Sequence, residues 1–271
     1  SSTLEFSEQD KTVRSTIRND TLAIIEAGYQ DVPLIQEWGN PDYDDNWKFF
    51  TNAGLDLGNG LEAYAFGNYA EKKVRGGFFY REVTDETGTF VSGGNRLIFD
   101  VADPEGLSSN CPVAPQVSEF NSTPAEFAAD QAILAQVAAD PNCFSFTEFF
   151  PGGFIPIFGA DNTDWSMVAG IRGDVDVGLD EPLNIDVSYS YVFNESDFLL
   201  LNTVNNTLGP DSPTEFDLGS YIQRETNLNF NASYPLDTGV FASPLNVAFG
   251  AEWRREEFEI VQGQRESWEA G

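Results

Sequence analysis

The stretch Leu183–Phe193, LNIDVSYSYVF, places Leu183, Ile185, Val187, Tyr189, Tyr191 and Phe193 at alternate positions. Asn184, Asp186, Ser188, Ser190 and Val192 stand between them. Side chains of a strand alternate between faces, so one face is apolar and ends in three aromatics, and the other is mostly polar. Two environments accept such a strand. One is a half-buried sheet in a soluble protein. The other is a transmembrane barrel, whose apolar face meets lipid and whose polar face lines a wet lumen.

The same alternation recurs along the chain. Trp47–Leu57 sets Trp47, Phe49, Ala53, Leu55 and Leu57 against Lys48, Asn52 and Asp56. Gly58-Asn59-Gly60 is a tight-turn signal, and Leu61–Tyr80 returns as the second arm of a hairpin. Trp165–Leu179, Tyr221–Tyr234 and Leu245–Ile260 repeat the pattern, and Ser1–Arg14 follows it loosely. A helix is expected over Thr21–Ala27, capped by Asn19 or Asp20 and stopped by Gly28. A second is expected over Pro124–Ala139, with Thr123 as N-cap and Pro124 at its first position.

Connection length supplies the next constraint. The links at Gly58–Gly60, Asp180–Pro182 and Pro235–Pro244 are short, whereas 15–46, 81–164 and 194–220 are long. Consecutive antiparallel strands put successive links at opposite ends, so all short turns fall at one end and all long loops at the other. Outer-membrane barrels have that layout. The expected fold is therefore all-β: an antiparallel up-and-down transmembrane β-barrel segment of about seven strands. Bacterial single-chain barrels have even strand numbers. Seven strands, with no initiator Met and no signal peptide, suggest an arc of a longer protein, residues 1–271 forming part of one barrel domain. A secreted soluble β-sandwich or lectin-like glycan-binding module is the alternative. A glycan-active enzyme using two carboxylates is a third.

Composition removes several function classes. Forty-four acidic against 14 basic residues give a net charge of -30, which argues against nucleic acid. With no His, triads, His-based zinc or haem sites and the commonest general base are absent. Cys111 and Cys143 are the only cysteines, expected as one disulfide holding a loop, and their number excludes thiolate metal clusters. No cofactor and no catalytic residue are expected. No apolar run is long enough for a membrane-spanning helix, which leaves a barrel open.

Four stretches carry a resemblance to a known family. They are Asn46–Tyr80, with the hairpin LEAYAFGNYA; Pro151–Phe158, PGGFIPIF; Asn202–Tyr221, NTVNNTLGPDSPTEFDLGSY; and Pro244–Gly271, containing AFGAEWRREEFEIVQGQRES. They resemble the barrel of TonB-dependent outer-membrane receptors. The resemblance implies a large barrel in the bacterial cell outer membrane, closed by a plug domain. It implies import of a scarce nutrient (metal chelate, vitamin or glycan) with energy from the TonB complex, contacted outside this chain. No plug, TonB-contact segment or final barrel strand is found in the sequence.

Individual residues carry narrower expectations. Arg172, Arg224, Glu252 and Arg254 are candidates to face ligand from loops or lumen, with ion pairing between strands as the plainer role. Trp47, Trp165, Tyr189, Tyr191, Phe193 and Trp253 are expected to form a membrane-interface girdle, sugar stacking being the rival role. Asp42, Asp44 and Asp45 offer oxygen ligands suited to Ca²⁺, although the spacing lacks the glycine and distal Glu of an EF-hand. On this register Arg224 and Arg255 fall on the apolar face, near the loop end of their strands.

Overall fold

A computed structural model describes residues 1–84, 88–103, 110–118 and 121–270, without the side chain of Asp20. Gly271, the last residue of the fourth resembling stretch, lies outside the described residues. Seven long strands follow one another in chain order and in space. They are β1 (Ser2–Gln9), β2 (Asp42–Gly58), β3 (Leu61–Gly77), β4 (Ile157–Val175), β5 (Leu183–Leu201), β6 (Glu215–Leu236) and β7 (Leu245–Gln262). Each pairs antiparallel with the next. Among the described residues β1 bonds only β2 and β7 only β6, so the sheet is open and closes no barrel. No helix of the described residues is long and apolar enough to cross a membrane, which says nothing of a barrel.

The turn at Gly58-Asn59-Gly60 forms because all three residues take positive φ, +79°, +53° and +80°. Glycine reaches that region at no steric cost and Asn tolerates it. The strands run further at the loop end than the sequence pattern indicates. β4 begins at Ile157 and not Trp165, β5 ends at Leu201 and not Phe193, and β6 begins at Glu215 and not Tyr221. β2 begins at Asp42, so Asp42, Asp44 and Asp45 lie on a strand, with a bulge before Trp47 and Asp45 at φ +47°. The sorting of links survives: 59–60, 176–182 and 237–244 at one end, 10–41, 78–156 and 202–214 at the other.

The apolar core is not under the sheet. Ile24, Tyr29, Tyr80, Val83, Phe90, Phe127, Phe144, Phe146 and Phe154 form one buried cluster, all within the links 10–41 and 78–156. These two links therefore fold together as a cap at the loop end. α1 (Asn19–Glu26) and α2 (Pro124–Ala139) belong to it. α1 starts two residues before the expected Thr21. Its N-cap is Arg18, not Asn19 or Asp20, and the Arg18 side chain makes no capping bond. α2 matches expectation: Thr123 accepts from the Glu126 N–H and Glu126 accepts from the Thr123 N–H. The Thr123 N–H, and after it the Thr123 hydroxyl, by donating to the Glu126 carboxylate hold it below the usual carboxylate range. Cys111 and Cys143 are joined, tying α2's two flanks. By contrast every residue of β7 is exposed. The other sheets among the described residues are two-residue ribbons, so no second layer of a sandwich covers the sheet.

Candidate ligand-facing and membrane-facing surfaces

Residues opposite one another in the ladder share a face. Following the pairings across the sheet assigns every side chain to one of two surfaces. On the first lie Trp47–Leu55 of β2, Leu61–Tyr69 of β3, Trp165–Val175 of β4, Leu183–Phe193 of β5, Leu228–Leu236 of β6 and Leu245–Trp253 of β7, each at every second position. None of these side chains is charged. Towards the loops the same face turns polar at once, with Glu71, Thr163 and Glu195 in one row. The six expected girdle aromatics all lie on this face. Trp165 stacks on Tyr191 at 5.1 Å and on Phe193 at 5.9 Å, and Phe6 joins Trp47 at 4.5 Å.

The border of this band runs obliquely across the hydrogen-bond ladder. It is marked by Trp47 on β2 and by Trp253 on β7. The ladder partner of Trp253 on β2, traced through Leu228, Tyr189, Ala169 and Ala65, is Ala53. Ala53 is six residues from Trp47, so the border shifts six residues over five strand steps. With ~3.3 Å per residue and ~4.8 Å between strands, a level border of that slope means strands tilted by about 40°. Barrel strands in membranes tilt by about 35–45°. Trp165 to Val175 is ten residue steps, about 33 Å along the strand and about 25 Å at that tilt, the height of a barrel's apolar band.

The second surface is polar. Arg172 of β4 donates to Glu62 of β3 at 2.9 Å and lies over the Tyr64 ring at 5.1 Å. Tyr64 crosses Gly170, where a Cβ would meet its ring at 2.6 Å, and donates to Asp186 on β5 at 2.8 Å. Arg254 bonds Glu225 at 2.6 Å and also Glu256. Glu252 shares this face, opposite Asn229. Arg224 does not join the other three. It lies on the first face beside Phe193, paired with Glu259 at 2.9 Å, and Arg255 on that face pairs with Glu257. Both sit on the loop side of Trp253's row.

The acidic trio disperses. Asp42 accepts from the Lys11 backbone, and Asp45 pairs with Lys73 at 2.6 Å. Among the described residues no group of three or more His, Cys, Asp or Glu could hold a metal ion.

Two constellations escape a reading of the sequence. Within the cap, Arg96 donates to both Asp130 oxygens at 2.8 and 2.7 Å and to the Tyr29 hydroxyl at 2.7 Å. Tyr29 donates to Asp130 at 2.5 Å, and Arg96 also bonds the Val83 carbonyl. The Arg96 and Asp130 side chains are 0% and 1% exposed. Burial foremost, together with Asp130, holds the Tyr29 hydroxyl protonated well above the usual tyrosine range. The second constellation is a row of rings on the polar face, one per strand: Phe78 just beyond β3, Phe158, Phe198, Tyr221 and Phe258. The alternation of β4–β7 draws attention to their apolar face, whereas these rings occupy the opposite one. No family model, curated protein or solved structure matches this chain.

Proposed function

We propose that the chain is part of an outer-membrane β-barrel receptor of the TonB-dependent kind, with its first face against lipid, its second against the lumen, and the cap outside the cell. In this reading it imports a scarce nutrient and performs no catalysis. The observation that supports it most is the uncharged band bordered by aromatics, oblique to the ladder at a barrel's tilt. A water-facing sheet has no reason to keep charge off one surface over six strands. The nearest cations on that face, Arg224 and Arg255, lie beyond the band and are paired. There a cationic side chain costs about 0–1 kcal/mol, against about 2–4 at the bilayer midplane. The open edges of β1 and β7 call for further strands to close the wall.

The test is reconstitution of the chain into vesicles containing lipid brominated on its acyl chains. Tryptophan emission is then read in variants keeping one tryptophan each. Trp47, Trp165 and Trp253 are expected to be quenched and Trp38, in the cap, spared. A chain that is monodisperse in water and unquenched in vesicles would overturn the proposal.

A further inference from the structure

We infer that the ring row Phe78, Phe158, Phe198, Tyr221 and Phe258 is a stacking track for a neutral oligosaccharide. The inference names the substrate class for the receptor proposed above and takes from that reading only which side of the sheet is the lumen.

Consecutive rings are 6.3, 5.9, 5.0 and 5.6 Å apart, centroid to centroid. Each stands on the next strand. The register makes the row a slope: Phe158 is opposite Leu200, two residues loopward of Phe198, and Tyr221 is opposite Ser196, two residues below Phe198. Phe258, opposite Gln223, continues the descent by two more. The level border of the apolar band falls only six residues in five strands, so the rings descend from the cap towards the interior. The upper end opens beside a cavity of about 280 Å³ between the first long link and the tops of β3 and β4, lined by Lys11, Glu37, Asn40, Arg75, Phe78 and Phe158 among others, its two cations being paired with Glu37 and Asp161.

Four of the five rings are exposed and Phe198 is half-buried. Phe78 is 47% exposed, Tyr221 48% and Phe258 63%. A row of large rings on the polar side of a sheet is an exposed apolar surface that water alone does not favour. Just below it, on the same face, lies a polar row: Asn162 with Ser196, and Asp164 with Asn194, next to Gln223. Flat apolar rings beside amides, a hydroxyl and a carboxylate match a pyranose, which has an apolar C–H face and an equatorial rim of hydroxyls. Charge narrows the class. The carboxylate Asp164 makes no ion pair in this row, Lys72, opposite Asn162, is turned over the Tyr43 ring at 4.8 Å, the nearby Arg254 is paired with Glu225 and Glu256, and the chain carries a net charge of -30. An anionic chelate or uronic-acid chain would be repelled.

The experiment is calorimetric titration of the full chain in detergent micelles with maltohexaose, cellohexaose and xylohexaose, and with hexagalacturonate as the anionic counter-probe. At least one neutral hexasaccharide is expected to bind, and hexagalacturonate to give no heat. Phe158→Leu with Phe198→Leu keeps apolar bulk but removes two flat faces, and is expected to weaken binding at least about tenfold. Tyr221→Phe keeps its ring and is expected to retain the stacking contribution. Trp47→Leu, on the opposite face, is expected to leave affinity unchanged. Circular dichroism confirms the strand content of each variant. Failure of all three neutral sugars to bind, unchanged affinity on loss of the two rings, or equal binding of hexagalacturonate would overturn the inference. If the chain proves water-soluble and never enters micelles, the receptor reading fails on its own. The same titrations in buffer still decide the track.

Discussion

Asp130 and Arg96 sit 34 residues apart and meet only because the cap folds. Together with Tyr29, 101 residues from Asp130, they pin three segments of the two long links to one another. Removing one partner of such a buried pair leaves an uncompensated charge and costs about 3–5 kcal/mol. Arg96→Met is therefore expected to destabilise the cap by that order in a denaturant melt, while Arg172→Met, whose pair with Glu62 is half exposed, costs about 0–1 kcal/mol. Tyr29 adds a pH signature. Its proton is held more tightly in the folded chain than in the unfolded one, so the native state binds the extra proton. The stability linked to it is complete below about pH 10, the unfolded tyrosine value, and is lost as pH rises above that. Tyr29→Phe should flatten that loss, read as the difference between the two chains' melts above pH 10. None of this trio was legible beforehand, because its partners are non-local. The Thr123 cap and Pro124 at the first position of α2 were legible, because that signal lies in neighbouring residues.

Among elements, β4 shows why the sequence locates strands and underestimates their length. Its alternation of apolar and polar residues starts at Trp165, yet the ladder runs on through Asp164, Asn162 and Ala160 to Ile157. Alternation reports which face meets an apolar surrounding, while backbone bonds continue wherever a neighbouring strand does. Just above the aromatic border the first face turns polar, at Thr163 and Glu195, while rings such as Phe158 and Phe198 stand on the other face, so the alternation loses its phase. At the start of β6 Phe216 and Leu218 do alternate with Glu215 and Asp217, but a register shift between Asp217 and Gly219 breaks the phase with Tyr221–Tyr234. The band makes a prediction at this scale. Ile171→Arg puts a cation in the middle of β4's apolar face and should cost about 2–4 kcal/mol in lipid. Thr163→Arg, on the same face of the same strand but past Trp165, should cost about 0–1. Urea unfolding in phospholipid vesicles measures both. Equal costs would mean that face meets water.

Across the whole molecule, two stabilising mechanisms occupy different ends. The cap has its own buried cluster, a disulfide and a buried ion pair, so water drives it together. The sheet buries little between its strands, β7 being exposed throughout, and carries on one face the uncharged band that lipid would cover in the proposed reading. These two bodies share strand ends but no common core, since the buried cluster draws on the links and not on β5–β7. Unfolding of the lipid-reconstituted chain should therefore take two steps. Replacing Cys111 and Cys143 by Ser releases a link closed over 32 residues and should lower the cap's step alone, by about 3–4 kcal/mol on the loop-entropy model. Ile171→Arg should lower the sheet's step alone. Hydrogen exchange of the amides of α2 and of β5 follows the two steps separately. A single transition in which both substitutions move both sets of amides equally would show that cap and sheet fold as one unit, and that the sheet is stabilised through the cap and not through lipid.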